Sequence, residues 1–118
     1  MKTLVIGASE KPGRYSNMAV RLLREYGHEV VATGLREGRI GDVSIQTGQP
    51  AVNGLDTVSL YVGPQRQSGL IDYVVNLKPR RVIFNPGTEN PAFQERLRNA
   101  GIAEEEACTL VLLRTGQW

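Results

Sequence analysis

One cysteine and one histidine are all that this chain has of the side chains that most often hold transition metals or build nucleophile–base pairs. A lone Cys108 closes no internal disulfide, and one Cys with one His is too small a set for a zinc site. A Ser-His-Asp arrangement has only His28 to draw on. There is no block of lysine or arginine. The formal charge is +2, with acids and bases mixed along the chain. That balance argues against nucleic acid as the main partner, yet it leaves room for a local basic pocket. Long apolar runs are missing too. The opening Thr3-Leu4-Val5-Ile6 is stopped by Gly7 and Glu10, too early for an export signal or a membrane span. The expectation is a cytoplasmic protein with no membrane partner. Its 118 residues fit one domain, 1–118, and a chain of this size still buries roughly two-thirds of its unfolded surface.

What is present is an alternation of short apolar runs and amphipathic stretches. Thr3–Ile6, Glu29–Thr33, Thr57–Val62 and Arg81–Phe84 read as buried strands, and Thr109–Leu113 reads as a last one. Val43–Ile45 suggests a short edge strand in an otherwise weakly patterned, glycine-rich middle. Between the strands, Ser16 offers an N-cap to a helix carrying Met18, Ala19, Leu22, Leu23 and Tyr26 on one face, with Gly27 as its C-cap. A second helix after Gly63-Pro64 turns Leu70, Ile71, Val74 and Val75 inward. A third begins at Asn90-Pro91, faces in with Phe93, Leu97 and Ala100, and ends at Gly101. The run Glu104–Glu106 reads as a solvated loop. Strands and helices in alternation predict right-handed βαβ units: a doubly wound, Rossmann-like parallel sheet of five strands in a single three-layer α/β domain.

In such a sheet, ligands bind outside the carboxyl ends of the strands. The loop Gly7-Ala8-Ser9-Glu10-Lys11-Pro12-Gly13-Arg14-Tyr15-Ser16 leaves a strand and opens a helix. Glycine lets the backbone approach a phosphate, the helix start supplies N–H groups, and Arg14 adds a fixed cation. The loop lacks the second glycine of G-x-G-x-x-G and the Gly-Lys-Ser/Thr ending of a P-loop. At the tip of the second strand stands Thr33-Gly34-Leu35-Arg36. An NAD site wants an acid there, whereas arginine fits a ribose phosphate. Arg36 is equally readable as a solvated loop cation. The turns Tyr61-Val62-Gly63-Pro64 and Asn85-Pro86-Gly87-Thr88 complete a set of small-residue loops suited to a long, thin, partly apolar ligand.

This pattern resembles the small CoA-binding proteins of Rossmann-like fold, a domain also found at the front of the succinyl-CoA synthetase α subunit. The residues that carry the resemblance run from Gly7 to Ser16 and continue at Gly27-His28-Glu29-Val30, Gly41, Leu55-Asp56-Thr57-Val58, Asn85-Pro86-Gly87-Thr88-Glu89-Asn90 and Ala100-Gly101-Ile102. The resemblance implies coenzyme A or an acyl-CoA as ligand. The phosphates would lie on Gly7, Ala8, Ser9, Pro12, Gly13, Arg14, Tyr15 and Ser16, and the phosphorylated ribose near Arg36. Tyr61, Val62, Pro64, Asn85, Pro86, Gly87 and Thr88 would line the pantetheine path. Leu35 stands where relatives often have proline.

Related acyl-CoA synthetases use a phosphorylated histidine from another domain. His28, between a helix and the next strand, falls at the wrong end of the sheet and reads as a turn residue. Cys108 has no histidine beside it in sequence, and the neighbouring glutamates disfavour its thiolate. Three readings stand: a non-catalytic or regulatory CoA-binding protein, with a homodimer or a protein partner left open; an NADP-type oxidoreductase module; and an interaction domain with a vestigial pocket.

Overall fold

The computed structural model describes residues 1–118. Seven strands form one sheet: β1 (Lys2–Ile6), β2 (Val30–Thr33), β3 (Gly38–Ile40), β4 (Val43–Gln46), β5 (Leu55–Leu60), β6 (Arg81–Phe84) and β7 (Ala103–Glu106). Their spatial order is β3-β4-β2-β1-β5-β6-β7. All pairings are parallel except that of β3 with β4, a tight hairpin at one edge. Four α-helices accompany them: α1 (Tyr15–Glu25), α2 (Ile71–Leu77), α3 (Pro91–Asn99) and α4 (Thr109–Arg114), with a 3₁₀ turn at Pro64–Arg66. None is long and apolar enough to cross a membrane.

Alternation along the parallel strands builds two cores. Leu4, Ile6, Val58, Leu60, Val82 and Phe84 point to one face, where Val74 of α2 and Phe93 and Leu97 of α3 cover them. Phe84 and Phe93 meet edge to face, with centroids 5.3 Å apart, a favoured aromatic geometry. On the other face Val5, Ala32 and Ile45 pack under Val20 and Leu23 of α1 and Leu113 of α4. The chain therefore winds over one face from β1 to β2 and over the other from β5 outward. The direction reverses between β1 and β5, which makes their carboxyl ends the topological switch point.

The helix ends follow the glycine signals. The amide of His28 donates to the Leu23 carbonyl at 3.0 Å and that of Gly27 to Arg24 at 3.0 Å, with Gly27 at φ +86°, a Schellman close. Gly101 ends α3 in the same way, its amide bonded to Arg98 and that of Ile102 to Leu97.

Several expectations need correction. The helix α1 starts two residues early, with Arg14 as N-cap and no side-chain cap; Ser16 lies inside it, buried. Val20 and Asn17 take the inward positions, while Tyr26 is exposed. Val43–Gln46 is a strand, but an inner one, because β3 pairs outside it. The last strand is not Thr109–Leu113. That run is helical: Thr109, Leu110, Leu112 and Leu113 are buried and Val111 is exposed, a helical rather than an alternating pattern. The true edge strand is Ala103–Glu106, where a solvated loop was expected. Its acids suit an exposed edge, and Glu104 is held by Arg98 at 3.2 Å and by Gln94 at 2.8 Å. Ala100 is exposed, not inward.

Candidate ligand cleft at the switch point

Above the carboxyl ends of β1 and β5 lies a cleft of about 910 Å³, within the size range of small-molecule sites. Its floor is fixed by backbone bonds between neighbouring strand ends. The amides of Gly7 and Ala8 both donate to the Thr33 carbonyl at 2.9 Å, Tyr61 donates to Ile6 at 2.8 Å, and Gly34 donates to Gln46 at 2.9 Å. Two glycines are required by this closeness. Gly7 has φ +96°, and a Cβ there would sit 3.0 Å from the Tyr61 carbonyl group; a Cβ on Gly34 would overlap the Ala8 carbonyl oxygen.

The first loop forms one wall. Asn17, fully buried in α1, donates from Nδ2 to the Ser9 carbonyl at 2.8 Å and accepts Arg21 Nε on its Oδ1 at 2.8 Å. The loop is thereby held from below, and the amide of Lys11 reaches Ser9 Oγ at 3.2 Å. At the tip, a carboxylate oxygen of Glu10 accepts from the Arg39 amide at 2.9 Å, docking the loop onto β3. The first turn of α1 carries no acid and no side-chain cap, and Arg14, Tyr15 and Ser16 line the cleft, so the helix's positive dipole end borders it uncompensated by a side chain.

The opposite wall is built from the loops after β4, β5 and β6. Gln67 is fully buried. Its Nε2 donates to the carbonyls of Val62 at 2.7 Å and Thr88 at 2.8 Å, and its Oε1 accepts from Asn90 Nδ2 at 2.9 Å. Asn90 Oδ1 in turn caps α3 through the Phe93 amide at 3.3 Å. Gln49 Nε2 reaches over to the Gly69 carbonyl at 2.7 Å, bringing the segment after β4 against the loop after β5. Tyr61 lines the cleft, and burial pushes its phenol up to about 12. Its buried hydroxyl approaches those of Thr109 and Ser59, which favour its charged form, without forming a well-shaped hydrogen bond.

Of the residues singled out in the sequence, Gly7, Ala8, Ser9, Arg14, Tyr15, Ser16, Arg36, Tyr61, Val62, Pro86, Gly87 and Thr88 line this one cleft. Pro12, Gly13, Pro64 and Asn85 do not. Pro12, Gly13 and Pro64 are solvent-exposed. Asn85 is buried beneath the cleft, where Nδ2 donates to Ser59 Oγ at 3.0 Å and to the Leu60 carbonyl at 2.9 Å, and Oδ1 accepts from the Thr109 amide at 2.9 Å. It shapes the turn after β6 rather than facing a ligand. Sequence reasoning passed over Lys11 and Arg66, two further cations on the cleft wall, and Gly48 and Gln49. Lys11 lies inside the glycine loop and could have been found there; Arg66 had no local signal. Glu10 and Glu37 add two acids to the lining.

The remaining candidate groups lie elsewhere. His28 is at the opposite end of the sheet, where its Nδ1 accepts from the Met1 ammonium at 3.2 Å and its ring stands 6.3 Å from that of Trp118. Cys108 is the half-buried N-cap residue of α4. No group of three or more His, Cys, Asp or Glu could hold a metal ion. A smaller depression of about 360 Å³ beside α1 is crossed by the Arg24–Asp42 ion pair and lies off the strand ends.

Among solved structures, one of an uncharacterized protein is 42% identical, with a TM-score of 0.96 over 99% of this chain and 97% of that one. A Thermus thermophilus protein matches at 21% identity and TM-score 0.87, over 99% of this chain and 90% of that one. A conserved hypothetical protein from Pyrococcus furiosus matches at 22% and 0.81, over 93% and 97%. The last two matches show a shared fold. No curated protein matches the chain. The family model described as a CoA binding domain matches residues 1–114, nearly the entire chain, and the protein belongs to that family.

Proposed function

We propose that this protein binds coenzyme A or an acyl-CoA in the switch-point cleft, and that it does so as a non-catalytic or regulatory binding protein. The observation that carries this reading is the character of the cleft walls in a member of the CoA-binding family. A cleft with a glycine floor is lined by Lys11, Arg14, Arg36 and Arg66, cations suited to a ligand with several separated phosphates. In this reading the pyrophosphate lies on the Gly7–Ser16 loop at the start of α1, and the phosphorylated ribose lies toward Arg36. The pantetheine arm runs along Tyr61, Val62, Pro86, Gly87 and Thr88. The non-catalytic part rests on the distance of His28 from the cleft and on the lack of a histidine beside Cys108.

Arg36 at the tip of β2 also favours a second reading, an NADP-type module, because an arginine there can accept a ribose phosphate. Calorimetric titration with CoA, NADP, NAD and ATP separates the two, together with mass spectrometry of any ligand that co-purifies. Tightest binding of CoA is the expected result. Binding of NADP without binding of CoA would transfer the assignment to the second reading.

A further inference from the structure

Glu10 is an acid in the lining of a cleft whose other charged residues are mostly cations, and its carboxylate is engaged at the edge of the sheet. Its Oε2 accepts from the Arg39 amide at 2.9 Å. The strand β3 pairs only with β4, so this contact satisfies a donor on an open edge. The Glu10 side chain lies against Gly38: a Cβ there would overlap Glu10 Cδ and sit 2.6 Å from Cγ. Glycine is a poor strand residue, and inside a strand it often marks a close approach. Gly38 has no positive φ, so the approach of Glu10 is what requires it.

Between β2 and β3 runs the segment Gly34–Glu37, which carries Arg36. It has no regular structure, and the amides of Leu35 and Arg36 form no backbone hydrogen bond. Its position is therefore set at its two ends. At the first, Gly34 abuts the Ala8 carbonyl and its amide donates to Gln46 at 2.9 Å. At the second, Gly38 and Arg39 seat Glu10. Both ends thus meet the loop Gly7–Ser16, once at its base and once at its tip. The same loop runs on into Arg14, the N-cap residue of α1, and is fixed from below by Asn17 on the Ser9 carbonyl at 2.8 Å. Arg14 and Arg36 are the two cations that the ligand reading places on separate phosphates. The Glu10 contact closes the frame that sets the distance between them.

We propose that Glu10 is a positioning residue of the cleft. Seated on Gly38 and Arg39, it fixes the spacing of Arg14 and Arg36 and so sets the preference for a ligand that carries a ribose phosphate besides its pyrophosphate. The assignment rests on the CoA reading above. Three variants test it: Gly38→Ala, Glu10→Gln and the two combined. Gly38→Ala alters no residue that lines the cleft, its backbone conformation admits alanine, and the new methyl unseats Glu10. Glu10→Gln keeps the shape and an acceptor for the Arg39 amide while removing the charge. The measurements are calorimetric affinities for CoA and for dephospho-CoA, and hydrogen exchange of the Arg39 amide in the free proteins. Gly38→Ala is expected to lower the CoA-to-dephospho-CoA affinity ratio by about three- to tenfold, a partial loss of one charge-assisted contact, and to speed exchange at Arg39. Glu10→Gln is expected to retain both the ratio and the slow exchange. The combined variant falls as far as Gly38→Ala does, which separates loss of the seat from repulsion by a displaced carboxylate. A general loosening of the fold would lower both affinities together and leave the ratio where it was. A Gly38→Ala protein with the parent's ratio or the parent's Arg39 exchange rate overturns the assignment, as does a combined variant that matches Glu10→Gln. A parent that binds no CoA defeats the ligand reading and the assignment together, whereas CoA binding with an unchanged ratio defeats the assignment alone.

Discussion

Gln67 donates its side-chain amide to the carbonyl of Thr88 at 2.8 Å, and the same nitrogen reaches Val62 at 2.7 Å. One buried side chain thus ties the loop after β5 to the loop after β6, so the far wall of the cleft is a single unit. Gln67→Ala leaves both carbonyls without their donor and opens a void. The expected loss of stability is about 1 to 3 kcal/mol, seen as a lower urea midpoint with an unchanged slope. Gln67→Glu, which keeps the shape and loses the donor, is expected to fall in the same range at neutral pH. A variant as stable as the parent would show that the wall is held by other contacts.

The glycines of the loops after β1 and β2 divide into two kinds. Gly7 combines φ +96° with a prospective 3.0 Å contact to the Tyr61 backbone, and Gly34 faces the Ala8 carbonyl directly. Alanine at either position forces the floor apart, at a cost of at least about 1 to 3 kcal/mol. Gly13 has neither a positive φ nor any neighbour within 4 Å. Gly13→Ala is therefore expected to stay within about 0.5 kcal/mol of the parent. Thermal melts of the three single variants check the ranking, and a Gly34→Ala protein that melts with the parent would contradict it.

Acid weakens the fold in part through His28. Burial lowers its pKa, and the positive Met1 ammonium lowers it further. The unfolded chain takes up a proton near pH 6.5, while the folded chain resists until a lower pH. Stability is therefore fully present above the unfolded value and is lost as pH falls through it. Asp56, whose pKa is lowered by its hydrogen bond to Arg80, adds a second loss that begins as pH falls into the ordinary aspartate range and is complete only below its lowered folded value. Urea unfolding from pH 8 to pH 5.5, with His28→Gln beside the parent, isolates the histidine part. The expected outcome is a shallower fall for the variant; identical slopes would remove His28 from the account.

Most of the parallel sheet was legible because β1, β2, β5 and β6 are short, largely apolar runs followed by a glycine or a polar turn, as at Ile6-Gly7 and Thr33-Gly34. The same rule failed at the carboxyl end. A five-residue apolar run such as Thr109–Leu113 fits a buried strand or a short helix equally well by periodicity, and its packing against α1 decides for the helix. The true last strand, Ala103–Glu106, escaped because an edge strand with solvated faces has no apolar signature. In the cleft, the loop carrying Gly7, Ser9 and Arg14 could be found locally. Arg66, Gln49 and Gln67 could not, because their places depend on loops that meet only after the sheet has formed. Asn85 was legible as a loop residue but not as a buried one, since its partners Ser59, Leu60 and Thr109 are distant in sequence.

The orientation of the ligand rests on two arginines in separate loops. Arg14 is the N-cap residue of α1 and lines the cleft beside the glycine loop, where the proposed pyrophosphate lies. Arg14→Ala should weaken CoA and dephospho-CoA alike. Arg36 lines the cleft beyond the end of β2, where the proposed ribose phosphate lies. Only CoA presents that phosphate, so Arg36→Ala should weaken CoA and barely change dephospho-CoA. A charge-assisted contact of this kind is worth roughly ten- to a hundredfold in affinity. Arg39 is close enough in sequence to substitute, although its amide is occupied by Glu10 at 2.9 Å, so the double variant belongs in the set. Titrating both ligands against the parent, each single variant and the double variant completes the cycle. Equal losses of both ligands on removing Arg36 and Arg39 would mean that the ribose phosphate lies elsewhere. Arg66, the cation on the opposite wall, is then the position where alanine should discriminate the two ligands.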